Sequence, residues 1–185
     1  MREDSDEELM RRVAEGDVDK LGVLFERHYA RVHSLCFRLT RRADLADDLA
    51  QDTMLRVLRS ASTFRGDSAF TTWLFRLAYS ACQDHWRRTK RDEHTTDLSE
   101  MDDMPSDHGS TETDERHALL EQALERLAPD RRAVLVLSRY NDLAYDDIAR
   151  VLDCTPAAAR VRAHRALNEL REIYRDLERR QLGLR

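Results

Sequence analysis

Three groups of side chains in this sequence carry chemistry beyond packing. The first lies between Phe64 and Arg76, where Phe64, Arg65, Phe70, Trp73, Phe75 and Arg76 precede the basic run Arg87-Arg88-Thr89-Lys90-Arg91. Aromatic rings stack on unpaired bases and arginines hold the phosphates between them, so this group suits single-stranded nucleic acid. A tryptophan such as Trp73 also serves as ordinary helical core, and its residue type leaves both uses open. The second group is Asp48, Gln51 and Asp52, which share one face of a helix because residues three and four apart are neighbours. A solvated acidic face, a carboxylate metal site and a partner-binding surface all fit it. The metal site would need facing partners such as Glu-x-x-His, and the sequence contains none. The third group is Arg160, Arg162, His164 and Arg165, cations near the start of a long helical stretch.

The elements that position these groups are all helical. Apolar residues recur at about 3.6 positions throughout, and no segment alternates with a period of two. Ser5-Asp-Glu-Glu8 reads as a capping box ahead of Leu9 and Val13, with Gly16 as the stop. Leu21, Leu24, Phe25, Tyr29, Val32, Leu35, Cys36 and Leu39 form one long stripe. A third helix is predicted from about Asp44 to Ser60, with Leu45, Leu49, Thr53 and Leu58 close to one face. Phe64 to Phe70 reads as a loop, followed by a helix that turns Leu74, Leu77, Ala78 and Ala81 inward. Helices resume at about Asp114 with the stripe Leu119, Leu120, Ala123, Leu124 and Leu127, and Pro129 opens the next.

Near the C-terminus, Tyr145 to Leu152 is a short amphipathic helix with Ile148, Ala149 and Leu152 on one side. Asp153-Cys154-Thr155 breaks it, and Thr155-Pro156 combines an N-cap with proline at the first helical position. Two helices joined by a three-residue turn, with the small Ala149 at their contact, form a helix-turn-helix pattern. At 100° per residue, Ala159, Ala163, Ala166, Leu170 and Ile173 face inward. Ala157, Ala158, Val161, His164 and Arg165 face outward, with Arg160 and Arg162 on the flanks. Small residues followed by guanidinium groups suit close approach to a DNA groove.

The chain has 185 residues, 36% of them charged and 41% hydrophobic, which suits small helical domains better than one deep core. Its net charge of −5 conceals a strong asymmetry. Between Asp92 and Glu115 lie ten acids and no Lys or Arg, and setting these aside leaves 31 basic residues against 26 acidic ones. Residues 92 to about 112, rich in Ser and Thr and without periodicity, are expected to be a flexible linker. The N-terminus has no basic n-region or apolar stretch behind it, and the longest apolar run, Ala133 to Leu137, is too short for a bilayer. A cytoplasmic protein without membrane insertion is therefore expected. Cys36, Cys82 and Cys154 are widely spaced and form no C-x-x-C pair, consistent with reduced thiols.

Two of these segments resemble a known family. Asp47-Asp-Leu-Ala-Gln-Asp52 with Phe64-Arg-Gly-Asp-Ser-Ala-Phe-Thr-Thr-Trp-Leu-Phe-Arg-Leu-Ala78 is similar to region 2 of extracytoplasmic-function (group 4) sigma factors of bacterial RNA polymerase. Leu143-Ala-Tyr-Asp-Asp-Ile-Ala149 through Arg160-Val-Arg-Ala-His-Arg-Ala-Leu167 is similar to their region 4. The two occur in the family's order, without an evident region 1.1 or region 3. The resemblance implies an all-α chain of two small domains: region 2 over 1–91, an acidic linker over 92–112 and region 4 over 113–185. It implies that Asp48, Gln51 and Asp52 contact the clamp helices of the polymerase. Phe64, Arg65, Phe70, Thr72, Trp73 and Arg76 would recognise and open the −10 element, and Arg160, Arg162, His164 and Arg165 would dock on the −35 element. Expected partners are RNA polymerase core, promoter DNA and an anti-sigma factor, with no cofactor, metal or small-molecule substrate. The chain departs from the family in Ala157-Ala158-Ala159, where Gly-Thr-Val is usual, in Val161, where Ser is usual, and in Asp153, where Gly is common.

A helix-turn-helix repressor or activator acting without polymerase is the alternative. It accounts for residues 145–178 but leaves the Phe64–Arg76 group and the Asp48 face without a task. An enzyme is disfavoured: no nucleophile–base pair or metal spacing stands out, and five glycines leave little material for a phosphate loop.

Overall fold

The computed structural model describes residues 4–93 and 112–181, and these form eight α-helices and one 3₁₀ turn, without a strand among them. Most of the acidic segment expected to be a linker, residues 94–111, lies outside the described residues.

Helix α1 (Asp6–Ala14) begins as the capping box predicts, with the Glu8 N–H donating to Ser5 Oγ at 3.2 Å. It ends before Gly16, whose φ of 105° lies in the left-handed region that glycine enters without cost. Helix α2 (Asp19–Thr40) buries Leu24, Val32, Leu35, Cys36 and Leu39 along one stripe. Helix α3 (Ala43–Arg59) turns Ala46, Leu49, Ala50, Thr53, Met54 and Val57 inward. Leu58, expected near the buried face, is instead 37% exposed, because Val57 takes the inward position of that turn. A 3₁₀ turn (Ala61–Thr63) leads into the Phe64 loop, and α4 (Phe70–Glu93) closes the N-terminal module. Leu74, Ala78 and Ala81 are buried as expected, and Leu77 is half-buried.

Cys36 and Cys82 are fully enclosed between α2 and α4. A hydrogen bond to Cys36, together with burial, pushes the Cys82 thiol well above its ordinary pKa, so it stays a protonated apolar group.

The C-terminal module comprises α5 (Glu112–Glu125), α6 (Pro129–Arg139), α7 (Tyr145–Val151) and α8 (Pro156–Gln181). Helix α8 packs on α5, α6 and α7. The two modules do not stand apart: α2 packs on α6 and α4 packs on α7, so that one apolar cluster runs from Leu9 to Leu177.

Arg132 on α6 is buried at this junction. Its Nε donates to Leu124 O at 2.9 Å and its Nη1 to Leu39 O at 2.9 Å, while Nη2 donates to Glu125 O and Leu127 O. The last carbonyls of a helix lack partners within it, and one guanidinium here satisfies those of both α5 and α2. Around it, Arg38 Nη1 meets Glu121 at 2.9 Å, and Arg41 meets Glu121 at 2.6 Å and Glu125 at 2.8 Å. The Arg38 guanidinium also lies 3.6 Å from the centre of the Tyr140 ring.

Candidate nucleic-acid and polymerase interfaces

The loop before α4 rests on an aromatic base. Phe64 lies 5.2 Å from Trp73 and 6.0 Å from Phe70, Phe70 lies 6.0 Å from Trp73, and His28 of α2 approaches Phe70 at 5.4 Å. Phe70 is 1% exposed and Thr72 2% exposed, so neither reaches the surface, as a direct role on DNA would require. The burial is tertiary for Phe70, which packs on His28 of α2 and on Phe64 and whose N–H donates to Glu7 Oε1 of α1 at 3.1 Å. Phe75 is also interior, with the Arg31 guanidinium 5.1 Å from its ring centre. Arg65 and Arg76 remain exposed, and Phe64 and Trp73 are half-buried. Gly66, with φ of 74°, bends the loop beyond Arg65 into a conformation that strains other residues.

On α3, Asp48 and Gln51 are exposed, but Asp52 is partly tied down. Arg56 Nε donates to Asp52 Oδ2 at 2.8 Å, and Arg56 Nη1 donates to Asp84 Oδ2 at 2.9 Å and to Ser80 Oγ at 3.3 Å. Burial disfavours the charge on Arg56, yet its bonds to Asp84 and Asp52 outweigh this and raise its pKa. Leu55, seven residues after Asp48 and therefore on the same face, is 51% exposed. An apolar residue out of phase with the buried stripe was the available sequence signal for it. Beside this face, Arg56, Asp84, Arg87, Arg88 and Arg91 line an open cleft of about 680 Å³.

The helix-turn-helix forms as its local chemistry requires. Asp153 adopts φ of 51°, Cys154 N–H donates to Ala149 O at 2.9 Å, and Ala158 N–H donates to Thr155 Oγ1 at 3.1 Å. Ala159, Ala163, Ala166 and Leu170 are buried, while Arg160, Val161, Arg162, His164 and Arg165 are exposed. The Arg160 guanidinium lies 5.7 Å from the Tyr145 ring centre, which aligns it across α7. No group of three or more His, Cys, Asp or Glu among the described residues could hold a metal ion.

A helix-turn-helix with its cations outward, joined to a helical module carrying aromatic, cationic and acidic surfaces, defines an all-α DNA-binding protein of two modules. Residues 24–92 match the family Sigma-70 region 2, and residues 117–170 match Sigma-70, region 4. The chain is 33% identical to the RNA polymerase sigma factor CarQ of Myxococcus xanthus, across 91% of this chain and 97% of that protein. It is also 33% identical to the ECF RNA polymerase sigma factor SigM of Mycobacterium tuberculosis, across 92% of this chain and 85% of that protein. The chain belongs to the extracytoplasmic-function sigma factors: it binds RNA polymerase core, directs it to promoters and promotes DNA melting, and it is not an enzyme.

Two solved structures share the fold. The sigma factor RpoE of Bartonella quintana, in complex with the anti-sigma factor NepR, superposes with a TM-score of 0.69 at 22% identity, covering 83% of this chain and 96% of that one. CnrH, in complex with the cytosolic domain of CnrY, superposes at 0.68 and 24% identity, covering 92% and 97%.

Proposed function

We propose that the chain divides initiation between its modules. Residues 1–91 bind polymerase core through Asp48, Gln51 and Asp52, and open the −10 element with Phe64, Arg65, Trp73 and Arg76. Phe70 and Thr72 act from within, as the support on which Phe64 and Trp73 rest. Residues 113–185 read the −35 element through Arg160, Arg162, His164 and Arg165, and residues 92–112 link the two. The protein works in the cytoplasm under the control of an anti-sigma factor; the RpoE neighbour is bound to one, NepR. No described helix is long and apolar enough to cross a membrane.

The observation that carries this division is the sorting of α8 into a buried alanine–leucine face and an exposed cationic one. Arg160→Ala with Arg165→Ala should weaken promoter binding by the polymerase complex. The salt dependence should flatten by about one unit of slope for each phosphate that is no longer neutralised. Footprints and salt slopes on a promoter recovered by transcription with core polymerase test it. An unchanged slope would remove this helix as the reader. A DNA shift by the chain alone, without core, would favour the repressor alternative.

A further inference from the structure

We infer that Glu7 is a positioning residue for promoter opening, its carboxylate capping the N-terminus of α4 from another helix and so setting the orientation of the Phe64–Phe70 loop. The inference rests on the reading of that loop as the melting element.

The first N–H groups of a helix have no partner within it. At α4 the Phe70 N–H finds one 63 residues away, in Glu7 Oε1 at 3.1 Å. A carboxylate suits this place, because it complements the positive end of the helix and makes a charge-assisted bond. Helix α1 can hold that carboxylate still because it is itself anchored. Leu9, Met10 and Val13 are buried, and Asp6 bonds two residues of α2, His28 Nε2 at 2.6 Å and Arg27 Nη1 at 2.9 Å.

Helix α1 also packs on the 3₁₀ turn Ala61–Thr63, which feeds chain into the loop. One helix therefore grips both ends of the loop, its entry through the 3₁₀ turn and its exit through Phe70. Between those ends, Arg65, Gly66 and Asp67 project into solvent. The three acids of the first turn of α1 have separate tasks. Asp6 ties α1 to α2, and Glu8 bonds Arg11 within α1. Glu7 alone of the three meets α4.

The test uses the full chain with core polymerase and compares Glu7→Ala, Glu7→Gln and Arg65→Ala. It measures permanganate reactivity of promoter thymines, affinity for core, closed-complex formation and hydrogen exchange at the Phe70 amide. Glu7→Ala should slow open-complex formation about ten- to a hundredfold, the size expected when one hydrogen bond to a charged group is removed, and leave core affinity and closed complexes within about twofold. The Phe70 amide should exchange faster. Glutamine keeps the acceptor oxygen, so Glu7→Gln should restore both the protection and most of the opening rate.

Wild-type opening by Glu7→Ala would overturn the inference, as would a parallel fall in core affinity and closed complexes. Impaired opening by Glu7→Gln with the Phe70 amide still protected would also overturn it. If Arg65→Ala opens promoters at the wild-type rate, the melting reading of the loop fails and takes this inference with it. If Arg65→Ala is defective and Glu7→Ala is not, the loop keeps its role and Glu7 alone loses its own.

Discussion

Trp73 lies half in the core and half out, so its position leaves room for both expected uses of the side chain. Its ring packs on Phe64 and Phe70, and aromatic pairs add about 0.5–1.5 kcal/mol each beyond buried area. A fully buried tryptophan costs about 3–5 kcal/mol on truncation to alanine, so the half-buried Trp73 should cost about 2 kcal/mol. Trp73→Ala should therefore lower the melting temperature, and it should reduce promoter opening further than that loss explains when both are measured where the variant remains folded. An unaltered melting temperature would place the indole wholly at the DNA surface, and loss of every activity in proportion would place it wholly in the core.

His85 makes a second prediction at this scale. Burial, then the charges of Arg88 and Arg42, lower its pKa from the ordinary 6.5. The folded protein thus resists a proton that the unfolded chain accepts near 6.5, so stability is intact above that pH and declines as pH falls through it. Urea midpoints at pH 7.5 and pH 5.5 should differ less in His85→Gln than in wild type, and an unchanged difference would assign the acid sensitivity elsewhere.

Among the elements, α3 shows how the surface proposed to meet polymerase is built on a helix that must also pack. Asp48 is exposed, whereas Asp52 forms an ion pair with Arg56, which reaches on to Asp84 of α4. Charge reversal should therefore have different consequences at the two positions. Asp48→Lys should leave stability within about 0.5 kcal/mol, as exposed substitutions do, and reduce core affinity at least tenfold. Asp52→Lys should reduce affinity and also lower the melting temperature, because it places a cation against a part-buried arginine. Pull-down with core polymerase alongside thermal melts separates the two. Equal melting temperatures would mean that the Asp52–Arg56 pair contributes nothing to stability. Leu55, exposed in line with Asp48, adds an apolar residue at the C-terminal end of this acidic face.

Across the whole molecule, the junction of the two modules is polar at its rim and sealed by Arg132 within. Burial lowers the pKa of Arg132, although Glu125 acts in the opposite direction. Its charge is held by four carbonyl oxygens, one of them contributed by α2. Arg132→Met should cost about 3 kcal/mol or more, because it strands buried acceptors. At about 2–4 °C per kcal/mol for a chain of this size, the melting temperature should fall by at least about 6 °C; a smaller shift would mean that water reaches those carbonyls.

The rim is the part that salt and charge can adjust. Glu121→Arg would turn two attractions, to Arg38 and Arg41, into repulsions. The distance between labels on α2 and α8, read by single-molecule energy transfer, should then lengthen. Molar salt should produce part of the same change in the wild type, since these pairs are only partly buried. A distance indifferent to both would show that apolar packing alone holds the modules together.

What could be read from the sequence was whatever depends on residues within one or two turns of each other. The Ser5 cap, the Thr155-Pro156 start, the left-handed Asp153 and the division of α8 into two faces all follow from side chains meeting their own backbone or from a period of 3.6. On that basis His164 and Arg165 were placed outward and Arg160 and Arg162 on the flanks, and all four are exposed. Periodicity assigns a residue to a face but does not say what covers that face. Leu58, placed by periodicity near the buried face, proved to be exposed, and Phe70 and Thr72, to which the resemblance gave a role on DNA, are interior. Neither Glu7 nor Arg132 carries a local signal that sets it apart from the other charged residues of its helix. Their partners, Phe70 and Leu39, lie 63 and 93 residues away in the chain. Only tertiary packing brings such groups together, because a hydrogen bond across that separation depends on the helices having already docked.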